Sequence, residues 1–410
     1  MRHLWTSISC RLALIAAVLI LGLFTSNCGS TSSTGNTAAP SPAASVPPGS
    51  GSGGSGASGG GSSGGGTGST GGGAAPTQAQ FLYGSSGGPV KGGKIDTSTG
   101  QVTSVPMPTD PTTGDTGFQS GSGGFAFAIA TDRLGRFLYT ADRQKVTAGV
   151  AGGNNAIGAF TIDRTSGVLS RVSGSPYMLS AMPVDIVMDG GGRFVYVSLP
   201  GTIDIWSVNQ SSGALTHVSS TAGGGAQLAS TWDGRVLLSN AGEGVTSYSI
   251  DQVTGSLTPL NTMAVGQSDG FSLSIGNALA VSWTGNTATV LSLDSNGKLT
   301  MPGNPVVLQG GNHTNYISIA SDNRKAYVTI HDDASSTGHL VRYDGIGGDQ
   351  LGIFGTSVMH AEVDFNGNFV YTSNGANQVQ TYVLNSSGGF GTGPTSQGPI
   401  GTVQGFRLSP

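Results

Sequence analysis

The stretch "GGRFVYVSL" (residues 191–199) sets a glycine-rich turn directly before alternating aromatic and β-branched residues. That is the pattern of a strand entered through a tight hairpin. "LGRFLYTAD" (134–142), "DGRVLLSNA" (233–241) and "NGNFVYTSN" (366–374) repeat it closely. "QFLYGSS" (80–86), "IGNALAVSW" (275–283) and "DNRKAYVTI" (322–330) repeat it more loosely. Aligned on the tyrosine-like position, the markers are Tyr83, Tyr139, Tyr196, Leu238, Ala280, Tyr327 and Tyr371, with steps of 56, 57, 42, 42, 47 and 44 residues. Self-similarity at such a period is the mark of a repeat architecture.

A second echo follows each marker. "GGKIDTSTGQVTSV", "GAFTIDRTSGVLSRV", "IDIWSVNQSSGALTHV", "VTSYSIDQVTGSLTPL" and "ATVLSLDSNGKLTMP" all read strand, Asp/Asn-Ser/Thr-Gly turn, strand, and "HLVRYDGIGGDQLGIF" and "VQTYVLNSSGGFGTG" are looser versions. A third segment precedes each marker, as in "AFAIATD", "PVDIVMD" and "YISIASD". Each period therefore holds four short strands, and there are seven periods. The expectation is an all-β fold, a seven-bladed β-propeller of four-stranded antiparallel blades. The first period lacks its leading strand, and "GFRLSP" (405–410) has the alternation to supply it. Pairing that segment inside the strand begun by "QFLYGSS" would close the ring and remove an unpaired edge.

Composition agrees with turn-rich β structure. Gly accounts for 71 of 410 residues and charged residues for 9%, against roughly 25% charged in typical soluble proteins. The formal charge is −4 and the 17 Lys and Arg are scattered, so no basic stripe for nucleic acid is present. At the N-terminus Arg2 and Arg11 flank the start of "LALIAAVLILGLF", 13 apolar residues. A bilayer span needs about 20, so this reads as the apolar core of a signal peptide. Only two cysteines exist, Cys10 and Cys28. On a helix they would stand about 27 Å apart, too far for a disulfide. Residues 29–77 are Gly, Ser, Thr, Ala and Pro apart from Asn36 and Val46, a tether of roughly 40 Å root-mean-square reach. The expected organisation is a signal peptide over 1–28, a linker over 29–77 and the propeller over 78–410.

The blade pattern, with "GRFVYVS" strands and Asp-x-x-Ser/Thr-Gly hairpins, resembles the lactonase-type and YVTN-repeat propellers across residues 80–410, without the Trp-Asp ends of WD40 blades. "TSNCGS" (25–30) resembles a bacterial lipobox, although Thr25 and Asn27 stand where Leu and Gly or Ala are favoured. That resemblance implies lipidation at Cys28 and a membrane-anchored, exported protein at the periplasm or cell surface. In the lactonase family (6-phosphogluconolactonase is the best known) an Arg-His pair lies on an inner strand, with the His eleven residues before the marker. The equivalents here are Ala128, Asp185, Gln227, Asp269, Tyr316 and His360. Blade seven alone offers the His; Met359 stands at the Arg, Asn374 matches the Asn that follows the next strand, and Gly375 replaces the Glu. Opening a lactone needs an activated water and charge stabilisation at the carbonyl oxygen, which Met and Gly side chains do not provide.

These aligned positions start the inner strands, so Asp185, Gln227, Asp269, Tyr316 and His360 are expected to ring the channel mouth. The ring reads either as solvated channel wall or as a binding site for a small polar ligand. The expected function is a monomeric binding module for such a ligand or a cell-envelope protein. The alternative is a lactonase-like hydrolase using His360. No cofactor is expected, although two carboxylates and an imidazole have the chemistry to hold a divalent ion. Two insertions, residues 107–124 and 142–155, emerge on the same face and read either as a lid or partner-binding rim or as drifted loops. His313, His331 and His339 gather in blade six, with His331, Asp332 and Asp333 on an expected loop and best explained by surface solvation.

Overall fold

Blade two begins at strand Phe125–Thr131 and continues through Phe137–Arg143, Ala156–Ile162 and Leu169–Arg171, each hydrogen-bonded antiparallel to the next. The computed structural model that shows this describes residues 80–409, apart from 86, 112–113, 148–149, 243, 267, 275–278, 309–310, 321–324, 333–336, 345–346, 350–357, 365, 375–378 and 386–404. The same meander recurs from Asp185–Met188, Leu228–Ser230, Gly270–Leu273 and His313–Ile319, the first strands of blades three to six. Blade seven shows three strands, Val358–Val363, Phe369–Asn374 and Val379–Val383; its expected fourth falls outside the described residues. Among the described residues there is no helix. Cys28, the signal segment and the linker also lie outside them.

Blade one is assembled from both ends of the sequence. Strands Gln80–Ser85, Val90–Ile95 and Val102–Ser104 form its outer three quarters. Gly405–Ser409 pairs antiparallel with the first of these, from Phe81 opposite Ser409 to Ser85 opposite Gly405. It occupies the innermost place, as expected from the sequence.

The core is divided among the seams between blades. Buried apolar residues form seven clusters among the described residues, one for each neighbouring pair. The seventh joins Phe369, Tyr371 and Val379 of blade seven to Leu82, Ile95 and Val102 of blade one. The ring therefore has seven blades and is closed.

One device unites the two repeated motifs. The marker tyrosine of each of blades one to three donates its hydroxyl to a glycine carbonyl in the outer hairpin of the next blade. The bonds are Tyr83 to Gly167 at 2.8 Å, Tyr139 to Gly213 at 2.9 Å and Tyr196 to Gly255 at 3.0 Å. Gly213 has φ +75°, and a Cβ there would sit 2.6 Å from Cδ1 of Phe137. Only glycine satisfies both the left-handed turn and the close approach of the ring.

The 107–124 and 142–155 insertions are joined to each other. The carbonyl of Ser122 accepts the N–H of Asn154 at 3.0 Å. The first folds back onto blade one, where Phe118 is buried and exchanges backbone hydrogen bonds with Val90 at 2.7 and 3.1 Å. The second contains a two-stranded ribbon, Lys145–Thr147 with Val150–Gly152. His331 and Asp332 end a strand, Lys325–Asp332, instead of lying on a loop, because blade six extends its hairpin to pair Asp332 with Thr337.

Candidate functional site

Inner strands of blades two to seven enclose a central cavity of about 240 Å³, with Ile186, Leu228, Phe271, Tyr316, Ser318 and Glu362 in its wall. Three lining residues are charged. Asp189 is a buried turn cap, accepting the backbone N–H groups of Arg193 and Phe194 at 2.6 and 2.7 Å. Arg133 donates to the Trp232 carbonyl at 2.6 Å and lies 3.9 Å above its indole. Glu362 faces His360, with Oε2 and Nε2 3.7 Å apart.

The five residues expected at the mouth fall into three settings. Asp185 and Gln227 are ties between blades. Asp185 Oδ2 accepts the N–H of Leu228 in blade four at 2.8 Å, and Gln227 Oε1 accepts the N–H of Phe271 in blade five at 2.9 Å. Each is half-buried, and each spends an oxygen on an inner-strand donor that the next blade leaves unpaired.

Asp269 is exposed, and its Oδ2 accepts the Gly285 N–H at 2.7 Å. The ladder explains why it stands apart. Equivalent cross-strand partners are thirteen residues apart in blade three (Asp185 and Ser198), blade six (Tyr316 and Thr329) and blade seven (His360 and Ser373). In blade five that pair is Gly270 and Trp283. The blade-five marker is thus Val281, not Ala280, and Asp269 precedes the ring position by one residue. A Cβ on Gly270 would meet the Trp283 indole at 2.4 Å, so glycine there is what admits the ring.

Tyr316 and His360 are brought together. Their rings stack with centroids 3.6 Å apart and planes inclined by 27°. Trp283 meets Tyr316 edge-on at 6.1 Å. Trp283, Tyr316 and His360 thus form an aromatic row across blades five to seven, with Glu362 beside its last member. His360 is 8% exposed with its Nε2 buried, so Tyr316 and Glu362, which line the cavity, stand between it and the open space.

Neither Glu362 nor Trp283 was singled out by sequence reasoning. Glu362 was detectable: a His-x-Glu spacing on a strand puts both side chains on one face. Trp283 needed the corrected register. Arg143 was also missed; its guanidinium carbon lies 3.0 Å above the Phe127 ring and Nε donates to the Pro183 carbonyl at 2.7 Å. Burial pushes this guanidinium down to about 10, with Asp185 acting the other way. Phe127, Asn315 and Met359 occupy β-bulges at the same place in blades two, six and seven. Met359, the residue at the lactonase Arg position, therefore sits out of register with its ladder. Asn374 is the cross-strand partner of Val358, while Gly375 falls outside the described residues. Among the described residues no group of three or more His, Cys, Asp or Glu is placed to hold a metal ion.

Residues 90–232, from the second strand of blade one to the inner hairpin of blade four, match the family model described as Lactonase, 7-bladed beta-propeller. No curated protein matches the sequence. Among solved structures, a Bacteroides uniformis ATCC 8492 protein provisionally assigned as a 6-phosphogluconolactonase superposes with a TM-score of 0.63 at 13% identity, over 81% of this chain and 99% of its own. A Bacteroides fragilis NCTC 9343 protein with the same provisional assignment gives 0.63 at 13% identity, over 82% and 99%. A Lactobacillus plantarum protein gives 0.59 at 16% identity, over 81% and 99%. At such identities the likeness speaks for the fold alone. Blade count and ring closure make the chain a seven-bladed β-propeller, and its residues 90–232 are similar to the lactonase form of that fold.

Proposed function

We propose that the protein is an exported propeller, tethered to a membrane by lipid at Cys28, that binds a small polar ligand on the aromatic side of its channel mouth. The observation that carries this reading is the Tyr316–His360 stack with Glu362 at 3.7 Å from the imidazole. Aromatic faces take the apolar face of a sugar-sized ring, and a His-Glu pair offers directed hydrogen bonds around it. A cavity of about 240 Å³ is smaller than the roughly 300–1,000 Å³ of drug-sized pockets, which suits a molecule the size of a monosaccharide. Asp185 and Gln227 serve to hold blades three to five in place beside that surface. The tether rests on the apolar run before Cys28 and the glycine-rich segment after it.

A second reading is favoured by the family match and by the same pair. In a lactonase-like hydrolase His360 would draw a proton from water as it attacks the lactone carbonyl, with Glu362 stabilising the imidazolium. The ring C–O bond then breaks and the leaving alkoxide takes that proton back from the imidazolium, giving a hydroxy acid.

One set of measurements separates the two. The purified protein is titrated with monosaccharides and sugar lactones while tryptophan fluorescence and lactone turnover are followed. Binding that Tyr316→Ala weakens at least tenfold, without turnover, supports the binding module. Turnover abolished by His360→Ala overturns it in favour of the hydrolase. For the tether, Cys28→Ala is expected to move the protein from the membrane to the soluble fraction, and an unchanged distribution refutes lipid anchoring.

A further inference from the structure

Asp142 is the residue at which the two insertions meet, and its environment is unlike that of its sisters in blades three and six. Its side chain is fully buried. The equivalent places in blades three and six hold Leu199 and Ile330, both buried aliphatic residues. No hydrogen bond of good geometry reaches either carboxylate oxygen or the Thr140 hydroxyl, two residues earlier on the same strand face, although the Ser120, Thr140 and Ser122 hydroxyls are near enough to favour the charged carboxylate against the burial that raises its pKa. The hydroxyls of Ser120 and Ser122, from the first insertion, lie beside the carboxylate. They are already engaged with each other at 3.0 Å and with the N–H groups of Ser122 and Gly124 at 3.2 and 3.0 Å.

Gly158, the cross-strand partner of Thr140, lets these groups pack closely together. A Cβ there would lie 2.3 Å from the Thr140 hydroxyl oxygen and 3.5 Å from Asp142 Oδ2. Blades three, four and five place Asp204, Thr246 and Thr289 at the matching position. The adjacent Arg143 is turned toward Phe127 and the Pro183 carbonyl, and no cationic side chain among the described residues pairs with Asp142. A buried carboxylate with no counter-charge is costly.

We propose that Asp142, Thr140, Ser120 and Ser122 form a site for a monovalent cation, sodium, that fastens the two insertions to blade two. The donors are all oxygen, the set that hard cations take. The carboxylate supplies one negative charge and the hydroxyls none, so a monovalent ion leaves the site neutral. A calcium ion would leave a buried net positive charge with a single carboxylate to offset it.

Thermal unfolding of the purified protein in sodium chloride, in calcium chloride and in N-methylglucamine chloride at equal ionic strength tests this. Sodium is expected to raise Tm saturably, by about 2 °C or more over N-methylglucamine. Asp142→Asn and Gly158→Ala are each expected to abolish that increment. Should a variant fail to fold, sodium-23 relaxation on the unaltered protein replaces it, with broadening that a non-coordinating salt does not reproduce. Equal Tm in sodium and N-methylglucamine, no sodium-23 broadening, or an increment that survives Asp142→Asn overturns the site. A rise with calcium and not with sodium overturns the monovalent assignment. A carboxyl that simply holds a proton predicts no cation dependence at all.

Discussion

The phenol of Tyr139 illustrates how single side chains hold this fold together. It is fully buried and its only route to satisfaction runs across the seam, to the carbonyl of Gly213. Tyr139→Phe leaves that carbonyl without its donor and is expected to lower stability by about 1–2 kcal/mol. Gly213→Ala should cost more, about 2–4 kcal/mol, because it adds left-handed strain to a contact with Phe137. Urea unfolding midpoints decide both. The same tyrosines set a pH limit. Burial raises the pKa of Tyr83, Tyr139 and Tyr196, with Asp163, Asp132 and Asp189 respectively adding to the shift. A phenol with a raised folded pKa keeps its proton where the unfolded chain has lost it. Its contribution is thus full below about pH 10, the unfolded value, and is lost as pH rises beyond it. The expected outcome is a flat urea midpoint up to that pH and a fall above it, shallower in Tyr139→Phe. Phenolate absorbance that grows while the chain is still folded would refute the shielding.

At the scale of the element, the tight turn between the first two strands is fixed in blades three and seven by one acidic side chain. Asp189 accepts three backbone N–H groups, from Gly191, Arg193 and Phe194, and pairs with the Arg193 guanidinium at 3.3 Å. Asp364 does the same for Asn366, Asn368 and Phe369 in blade seven. Asp189→Ala strands these donors inside the turn and is expected to cost about 2–4 kcal/mol, with Asp189→Asn losing less than half of that. Calorimetric unfolding checks it, and a loss under about 0.5 kcal/mol for Ala would mean the backbone alone sets the turn. Elements with this signature were legible in the sequence, because Asp, Gly and the alternating strand all leave marks on composition. Blade five was read one residue out of step, since Ala280 and Val281 are both apolar and no aromatic residue fixes the marker. The candidate site suffered in proportion: Tyr316 and His360 were found by alignment to sister blades, whereas Trp283 and Glu362 belong to blade-specific chemistry that a repeat does not reveal. Asp142 was equally hidden. Its meaning depends on Ser120 and Ser122 reaching it from another insertion, a contact no local pattern encodes.

For the whole molecule the decisive question is how much of the ring depends on Gly405–Ser409. Two separate attachments join its ends. One is the antiparallel ladder from Phe81 to Ser85 against the terminal strand. The other is the apolar seam in which Leu82, Ile95 and Val102 meet Phe369, Tyr371 and Val379, reinforced by the Thr381 hydroxyl donating to the Gly100 carbonyl at 3.0 Å. Removing residues 405–410 abolishes the first and leaves the second. Blade one would then face the channel with the bare inner edge of Gln80–Ser85, a strand whose residues from Phe81 onward are buried. An exposed apolar edge of that kind recruits other chains. The truncated protein is therefore expected to remain largely folded by circular dichroism, to lose several degrees of Tm, and to elute as oligomers that the intact chain does not form. A synthetic peptide of the missing sequence, added in excess, should restore part of the Tm by refilling the vacant place. A truncated chain that stays monomeric at unchanged Tm would mean the seam alone closes the ring, and the terminal strand would then be decoration.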